Sequence, residues 1–146
     1  MRAFTSDTFV LPLPPTHRFP MAKYRRLRER VEEELPGVTL VGASPVSPDQ
    51  LRRAHHGDYV ERVLSGTLDP REVRVIGFPQ IPELAWRERH SVGGTLDGAR
   101  AALLDGVAVN LAGGTHHAGP MRGQGYCLFN DAAVAIRALQ DEARVG

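Results

Sequence analysis

Two adjacent histidines in a glycine-rich segment are the residues of this sequence best suited to chemistry. The apolar stretch Val107–Ala112 ends at Gly113-Gly114, and His116 and His117 follow almost at once. Imidazole changes its charge near neutral pH, so such a pair can accept and donate protons. Adjacent side chains in an irregular segment rarely ligate one metal, but each ring can bond to a different carboxylate. The same pattern also fits a solvated loop histidine beside a packed one.

The elements around the pair would place it at a crevice. The stretch Val107–Ala112 is typical of a parallel strand that is covered on both faces. In open α/β sheets, ligands bind beyond the carboxyl ends of the strands, where these histidines would lie. Gly119, Gly123 and Gly125 permit a close approach of the backbone to a small ligand, although a plain flexible loop uses glycine equally well.

The rest of the sequence predicts one α/β domain. Strands are predicted at 2–5 and 38–41, an extended segment at 73–78, and the opening of another strand at 144–146. Two helices are predicted with both ends, from Pro20 to the stop at Pro36-Gly37 and from Pro82 to Gly106. Three more are predicted from their start signals, namely the capping box at Ser47, the capping residue Asp58, and the capping residue Asn130 or Asp131. Asp69 begins a further capping box.

The helix that begins at Pro82 is predicted to be the main packing element. Its predicted inward positions are Ala85, Val92, Leu96, Ala99 and Leu103. Two glycines in its interior, at 93 and 94, each cost about 1 kcal/mol relative to alanine, so they predict close packing against another backbone. Trp86 and His90 on this helix are assigned no role.

Composition excludes several classes of protein. A net charge of +1 from 18 basic and 17 acidic residues leaves no electrostatic footprint for nucleic acid. The single cysteine cannot form an internal disulfide, which is typical of a reducing compartment. No signal sequence and no membrane-length apolar run are evident. These features predict a soluble cytoplasmic protein without nucleic-acid or membrane partners.

The segment from Gly113 to Ile136 resembles a known family. It reads GGTHHAGPMRGQGYCLFNDAAVAI, similar to the tandem-histidine and G-[FY]-C-x-[FL]-N-D motifs of the zinc-dependent histone deacetylase family, in its bacterial class IV-like branch. Earlier pieces fit the same family, namely THRFPM at 16–21, AH at 54–55 with DYV at 58–60, and VGGT at 92–95. The resemblance implies a three-layer αβα, arginase/deacetylase-like fold with a mainly parallel sheet. It also implies that residues 1–146 are the amino-terminal part of a single, truncated domain.

The resemblance assigns roles to four residues. His117 matches the general base that takes a proton from water, and His116 matches its electrostatic partner or proton donor. Tyr126 matches an aromatic wall of the channel for an acyl-lysine stem, where the family more often has phenylalanine, and the Gly125 carbonyl would face that channel. The implied reaction is hydrolysis of the amide of acetyl-lysine or a similar acetylated amine.

The metal ligands of the family have no match here. They come from an Asp-x-His segment and a later Asp, with a distant Tyr beside them, and this sequence has no Asp-x-His. The resemblance therefore implies a zinc cofactor only in the complete domain, a missing carboxyl-terminal half as partner, and an inactive chain by itself.

Other interpretations remain open. Cys127 with His117 fits a thiol nucleophile and its base, whereas a small buried thiol is the plainer interpretation. The loop before the last helix could hold an anion, but there is no G-x-x-x-x-G-K-[ST] motif. The chain could also be an interaction module or half of a split protein. His55, in a second pair with His56, is predicted to be structural.

Overall fold

A computed structural model describes residues 1–7 and 10–146 of the chain. Within that part, three strands and six helices follow one another: β1 (Arg2–Thr5), α1 (Ala22–Glu34), β2 (Thr39–Gly42), α2 (Pro48–Arg52), α3 (Gly57–Ser65), α4 (Pro70–Ile76), α5 (Pro82–Asp105), β3 (Ala108–Asn110) and α6 (Asp131–Asp141). No described helix is both long and apolar enough to cross a membrane.

The sheet is parallel, with β1 at its centre. The strand order is β2-β1-β3, with Arg2 opposite Thr39 on one side and Ala108 on the other. Helix α5 packs on one face of this sheet, where it contacts β1 and β3. Ala3 and Phe4 of β1 point to opposite faces and are both buried, so both faces are covered there. This confirms the predicted α/β layering.

Strand β3 departs from its prediction. It is shorter than the predicted Val107–Ala112 and lies at an edge, where Val109 is 40% exposed. The expectation that it is covered on both faces is therefore wrong for the described chain, because the face that carries Val109 is left exposed. The outer edge of β3 has no described partner strand.

Helix α5 organises the packing, because it contacts β1, β3 and α6. Val92 and Leu96 are buried as predicted, but Leu103 is 48% exposed because the last turn of α5 runs past the core. A Cβ atom added at Gly93 would lie 1.6 Å from the Ser44 carbonyl oxygen, which confirms the predicted close backbone contact.

Three local predictions need correction. Residues 73–78 were expected to be extended, yet Asp69 forms a complete capping box with Glu72 and starts α4, which reaches Ile76. The N-cap of α3 is His56 rather than Asp58, which lies in the first turn. Residues 144–146 form no strand, since the Arg144 amide donates to Leu139 O and closes the turn after α6.

The apolar core lies among the helices rather than on the sheet alone. It joins side chains of α2, α3, α5 and α6 to the end of the loop that follows β3. Leu128 and Phe129 of that loop are 1% and 0% exposed. Burying two large side chains anchors this loop end in the core, by about 1.5–3 kcal/mol for each of them.

Candidate active site

The histidine pair lies in residues 113–130, a segment of the loop between β3 and α6 that is called the histidine loop below. Its first residue, Gly113, is required by crowding. An added Cβ there would lie 2.9 Å from atoms of Asn110 and Thr95 and 3.0 Å from Asp131. The Asn110 amide in turn donates to the Ser91 carbonyl at 2.8 Å, so the loop begins on a polar cluster that is fixed to α5.

A buried carboxylate holds the start of the loop. Asp131, 2% exposed, accepts from Gly114 N at 2.8 Å and from Thr115 N at 3.0 Å. It also accepts from the Thr95 hydroxyl at 2.6 Å and from Ala132 N at 3.0 Å. These bonds connect the start of the histidine loop, α5 and α6 at one point, directly before the histidines.

The two imidazoles stay together and face outward. The ring centroids of His116 and His117 are 4.3 Å apart with an interplanar angle of 41°, and both residues are exposed. Among the described residues, no side chain bonds to either ring, so the carboxylate contacts that were thought possible do not occur there. The His117 ring lies against Gly125, where an added Cβ would be 3.7 Å from it. Two proton-carrying groups are thus presented side by side.

The aromatic wall is fixed by α4. Gly125 and Tyr126 both have positive φ, 55° and 66°. Their amides donate to carbonyls in the last turn of α4, Gly125 N to Val75 O at 3.2 Å and Tyr126 N to Ile76 O at 2.7 Å. Helix ends leave such carbonyls free to accept, and these bonds hold Tyr126 in a conformation unusual for a residue with a side chain.

The Tyr126 ring belongs to an aromatic cluster. Its centroid lies 5.0 Å from that of Phe19, 5.1 Å from Phe78 and 6.0 Å from His17. An added Cβ at Gly77 would meet the Tyr126 ring at 3.0 Å. The ring is therefore a half-buried wall that starts beside the histidines and reaches the segment at 17–19.

The geometry disfavours the thiol interpretation. Cys127 is 5% exposed, and its Sγ donates to Gly125 O at 3.6 Å. Burial raises the pKa of the thiol, and the carboxyls of Glu88 and Asp131 raise it further, against a backbone hydrogen bond at His117 that lowers it. The reactive thiolate is thus suppressed at neutral pH.

The anion interpretation is disfavoured as well. Asn130 is the N-cap of α6, and its side chain accepts from Ala133 N at 3.1 Å. Asp131 accepts from Ala132 N. The protein's own oxygens therefore take the place that a phosphate would occupy, and one of those groups is a carboxylate.

No metal site is complete in the described part of the chain. Within residues 1–7 and 10–146, no group of three or more His, Cys, Asp or Glu side chains could hold an ion. The residues present do not fit zinc on their own, since a zinc site in a protein takes three or four such ligands.

Comparisons with known proteins decide the family. The model of the histone deacetylase domain matches residues 17–146. The chain belongs to the histone deacetylase domain family. An uncharacterised protein of Picosynechococcus is 42% identical over 134 residues, which are 90% of this chain and 45% of that protein. The acetoin utilization protein AcuC of Bacillus subtilis is 31% identical over 104 residues, 64% of this chain and 27% of that protein. The chain thus spans less than half the length of these relatives.

Solved structures show the same fold. A histone deacetylase homologue from Aquifex aeolicus superposes with a TM-score of 0.69 at 23% identity, over 97% of this chain and 41% of the homologue. A homologue complexed with SAHA gives 0.70 at 24% identity, with the same coverage. These likenesses confirm the arginase/deacetylase-like, three-layer architecture.

Sequence reasoning found the histidines and Tyr126 but missed what holds them. The predicted roles of His116, His117, Gly125 and Tyr126 stay predictions, although the structure brings all four together. The supporting polar residues Ser91, Thr95 and Asn110 were overlooked. One signal was present, since Gly94 in the interior of a predicted helix indicates a close neighbour, which the structure shows to be the Asn110 side chain.

We expect Asp131→Asn to lower the free energy of unfolding by about 2–4 kcal/mol, because bonds to a charged acceptor contribute about 1.5–3 kcal/mol each. Each carboxylate oxygen of Asp131 accepts two hydrogen bonds. In either orientation, the side-chain amide of the asparagine would place its NH₂ group, which is a donor, where two other donors already point. Urea unfolding would measure the change.

The matched control for that substitution is Asp141→Asn on the same helix. Asp141 is largely exposed, and its one ion pair within the described part of the chain is with Arg53 at 2.9 Å, so its replacement should change stability by about 0.5 kcal/mol or less. Equal losses in the two variants would contradict the anchoring role of Asp131.

Proposed function

We propose that this chain supplies the proton-transfer residues of a zinc-dependent deacetylase that hydrolyses the amide of acetyl-lysine or a similar acetylated amine. The observation that carries the proposal is the exposed imidazole pair, 4.3 Å apart, on a loop that Asp131 fixes at its start. Membership of the histone deacetylase domain family supports the reaction class.

Amide hydrolysis needs two proton transfers, which a pair of imidazoles can divide. A water molecule must lose a proton as it attacks the carbonyl, and the departing amine must gain one. We assign the first transfer to His117 and the second, with electrostatic support of the transition state, to His116. Since both rings face the same solvent-exposed space, both could reach one reacting centre. Because no described side chain hydrogen-bonds to either ring, the rings can take these protons without first breaking such a hydrogen bond.

The substrate stem would lie along the Tyr126 ring. This ring is half-buried, it is held by backbone bonds to α4, and the His117 ring lies against the neighbouring Gly125. A flat apolar face beside two proton carriers suits a methylene chain that ends in an acetamide. The tyrosine hydroxyl, where the family more often has phenylalanine, would influence which acyl groups are accepted.

Zinc and its ligands would belong to the remainder of the family domain. Zinc would supply a Lewis acid for the amide carbonyl in that complete domain. The described residues of this chain do not fit the ion, so their part is restricted to proton transfer and to the channel wall. A cytoplasmic location is part of the same proposal, as the single cysteine suits a reducing compartment.

Edge strand β3 offers a surface for the remaining half of the domain. Val107 and Val109 are 51% and 40% exposed, and the outer edge of β3 has no described partner strand. Such an edge favours addition of another strand. The same edge supports the second interpretation, a chain that acts mainly by association with another protein.

We expect the 146-residue chain, supplied with zinc, to show no hydrolysis of an acetyl-lysine peptide above background. The physical reason is that its described residues form no zinc site. The assay would follow free lysine amine with and without a chelator. If the purified chain turned over the peptide and the chelator abolished that turnover, the proposal that the zinc ligands lie outside this chain would be overturned.

A further inference from the structure

His55 connects the middle of the histidine loop to its end. The residue lies between α2 and α3 and is 4% exposed. Its Nδ1 atom is 3.0 Å from the Gly119 carbonyl oxygen, and its Nε2 atom is 2.9 Å from the Asn130 amide nitrogen. One ring therefore bonds to the loop on both sides of the segment that carries Tyr126.

These two bonds require one neutral form of the ring. The Asn130 N–H is a donor, so Nε2 must be unprotonated to accept from it. The Gly119 carbonyl only accepts, so Nδ1 must carry the hydrogen. In a protonated ring, Nε2 would carry an N–H that points at the Asn130 N–H, so the hydrogen bond from Asn130 to Nε2 would be lost.

Asn130 passes the constraint on to the histidine pair. Its side-chain amide approaches the carbonyls of His116 at 3.4 Å and Ala118 at 3.3 Å, while its carbonyl oxygen caps α6. Gly119, the other partner of His55, follows His117 by two residues. The backbone on both sides of His117 is thus held by groups that His55 holds.

We propose that His55, in its neutral form, is a positioning residue that sets the orientation of His116 and His117. The proposal rests on the proton-transfer role given to that pair under the proposed function. His55 touches neither ring of the pair and acts through Asn130 and Gly119.

The surroundings of His55 keep it neutral. The Tyr59 and Phe129 rings lie 6.0 Å and 5.3 Å from the imidazole. Burial lowers the pKa of His55 below its ordinary value, and the hydrogen bonds with Gly119 and Pro120 oppose that shift.

Several ionisable groups on the surrounding elements have partners other than His55. The Tyr59 hydroxyl donates to Leu128 O, His56 lies beside Asp58, Arg52 pairs with Asp49 and Glu61, Arg53 pairs with Asp141, and Asp131 accepts from the start of the loop. The Arg122 side chain lies beside Gly119, with its Nε 3.8 Å from the position of an added Cβ there. Because the folded pKa lies below the unfolded one, the ordered arrangement is fully favoured above about pH 6.5 and weakens as the pH falls from there toward the folded pKa.

The first test is a titration of the wild-type chain followed by nuclear magnetic resonance. The ¹⁵N shifts should show His55 as the neutral tautomer with hydrogen on Nδ1, and the Asn130 amide signal should move with the protonation of His55. The proposal would be overturned if the Asn130 amide signal did not move as His55 is protonated, or if the neutral tautomer carried its hydrogen on Nε2.

The second test compares variants at pH 8, where the lowered pKa of His55 leaves that ring neutral in the wild-type chain. His55→Leu removes both bonds at similar volume, His55→Gln restores an acceptor for Asn130, and His56→Ala is the matched control at an exposed neighbour. In His55→Leu, exchange of the Asn130 amide should accelerate about tenfold or more relative to Leu96 in α5, and the nuclear Overhauser effect between the His117 ring and Gly125 should weaken.

His55→Gln should recover most of both signals, and His56→Ala should keep them. Equal disturbance in the leucine and glutamine variants would show that His55 only fills space, which overturns the proposal. If His55→Leu does not fold, the wild-type titration decides. No readout needs deacetylation, so an inactive complete domain would reject the proposed function and leave this inference intact.

Discussion

Replacing His117 by alanine in a complete domain is expected to lower kcat by about 10²–10⁴, the usual contribution of a general base. The complete domain would join this chain to the carboxyl-terminal portion of its Picosynechococcus relative. The reason for a large effect is structural, because the neighbouring His116 ring lies 4.3 Å away and is assigned to a different proton. Steady-state hydrolysis of an acetyl-lysine peptide would measure it.

Two controls accompany that measurement. His56→Ala changes an exposed histidine whose Nδ1 lies 3.8 Å from the Asp58 carboxylate, and it should keep kcat within about threefold. Cys127→Ser should also keep most of the activity, since the thiol is buried and its pKa is raised. Complete loss of activity in Cys127→Ser, with folding intact, would instead support the thiol mechanism, in which His117 is the base of Cys127. Activity that stays within about threefold of wild type in His117→Ala would contradict the general-base role of His117.

The largest expected effect on stability comes from Gly93→Ala. The added Cβ would lie 1.6 Å from the Ser44 carbonyl oxygen and 3.3 Å from Val46 N, so backbone must move. Overpacking usually costs about 1–3 kcal/mol, and a clash with backbone belongs at or above the upper end of that range. We expect a loss of about 3 kcal/mol or more in urea unfolding, or a chain that fails to fold.

Gly98→Ala is the matched control in the same helix. Of the described residues, its added Cβ would meet only the Phe4 side chain, at an ordinary 3.7 Å. The gain in helix propensity of about 1 kcal/mol should then leave this variant as stable as the wild type or more so. A Gly93→Ala chain of wild-type stability would show that α5 does not lie against the segment at Ser44.

Much of the fold was accessible from local patterns. Capping boxes at Ser47 and Asp69 both formed, and Gly106 ended α5 as expected. These signals are readable because the side chain that stops or starts a helix bonds to backbone a few residues away. The β-branched run at 73–78 misled because a complete capping box and Gly77 outweighed its strand preference.

The contacts that hold the site were not accessible in this way. His55 bonds to Asn130, 75 residues later, and Thr95 bonds to Asp131, 36 residues later. The spacing of these residues along the chain does not predict that they form hydrogen bonds. Those contacts depend on how α3, α5 and α6 pack. The exposure of Leu103 likewise depends on where α5 extends beyond the core, and the exposure of Val109 depends on where the sheet ends.

Zinc content and turnover, measured together on a reconstituted domain, test the central claim most directly. The chain and its double variant His116→Ala/His117→Ala would each be combined with the carboxyl-terminal portion of the relative, and the purified complexes analysed. We predict one zinc per complex in both cases, no zinc on the present chain alone, and turnover only with the unaltered pair. Loss of zinc from the double variant, or full occupancy of the isolated chain, would make these histidines metal ligands and contradict their assignment to proton transfer.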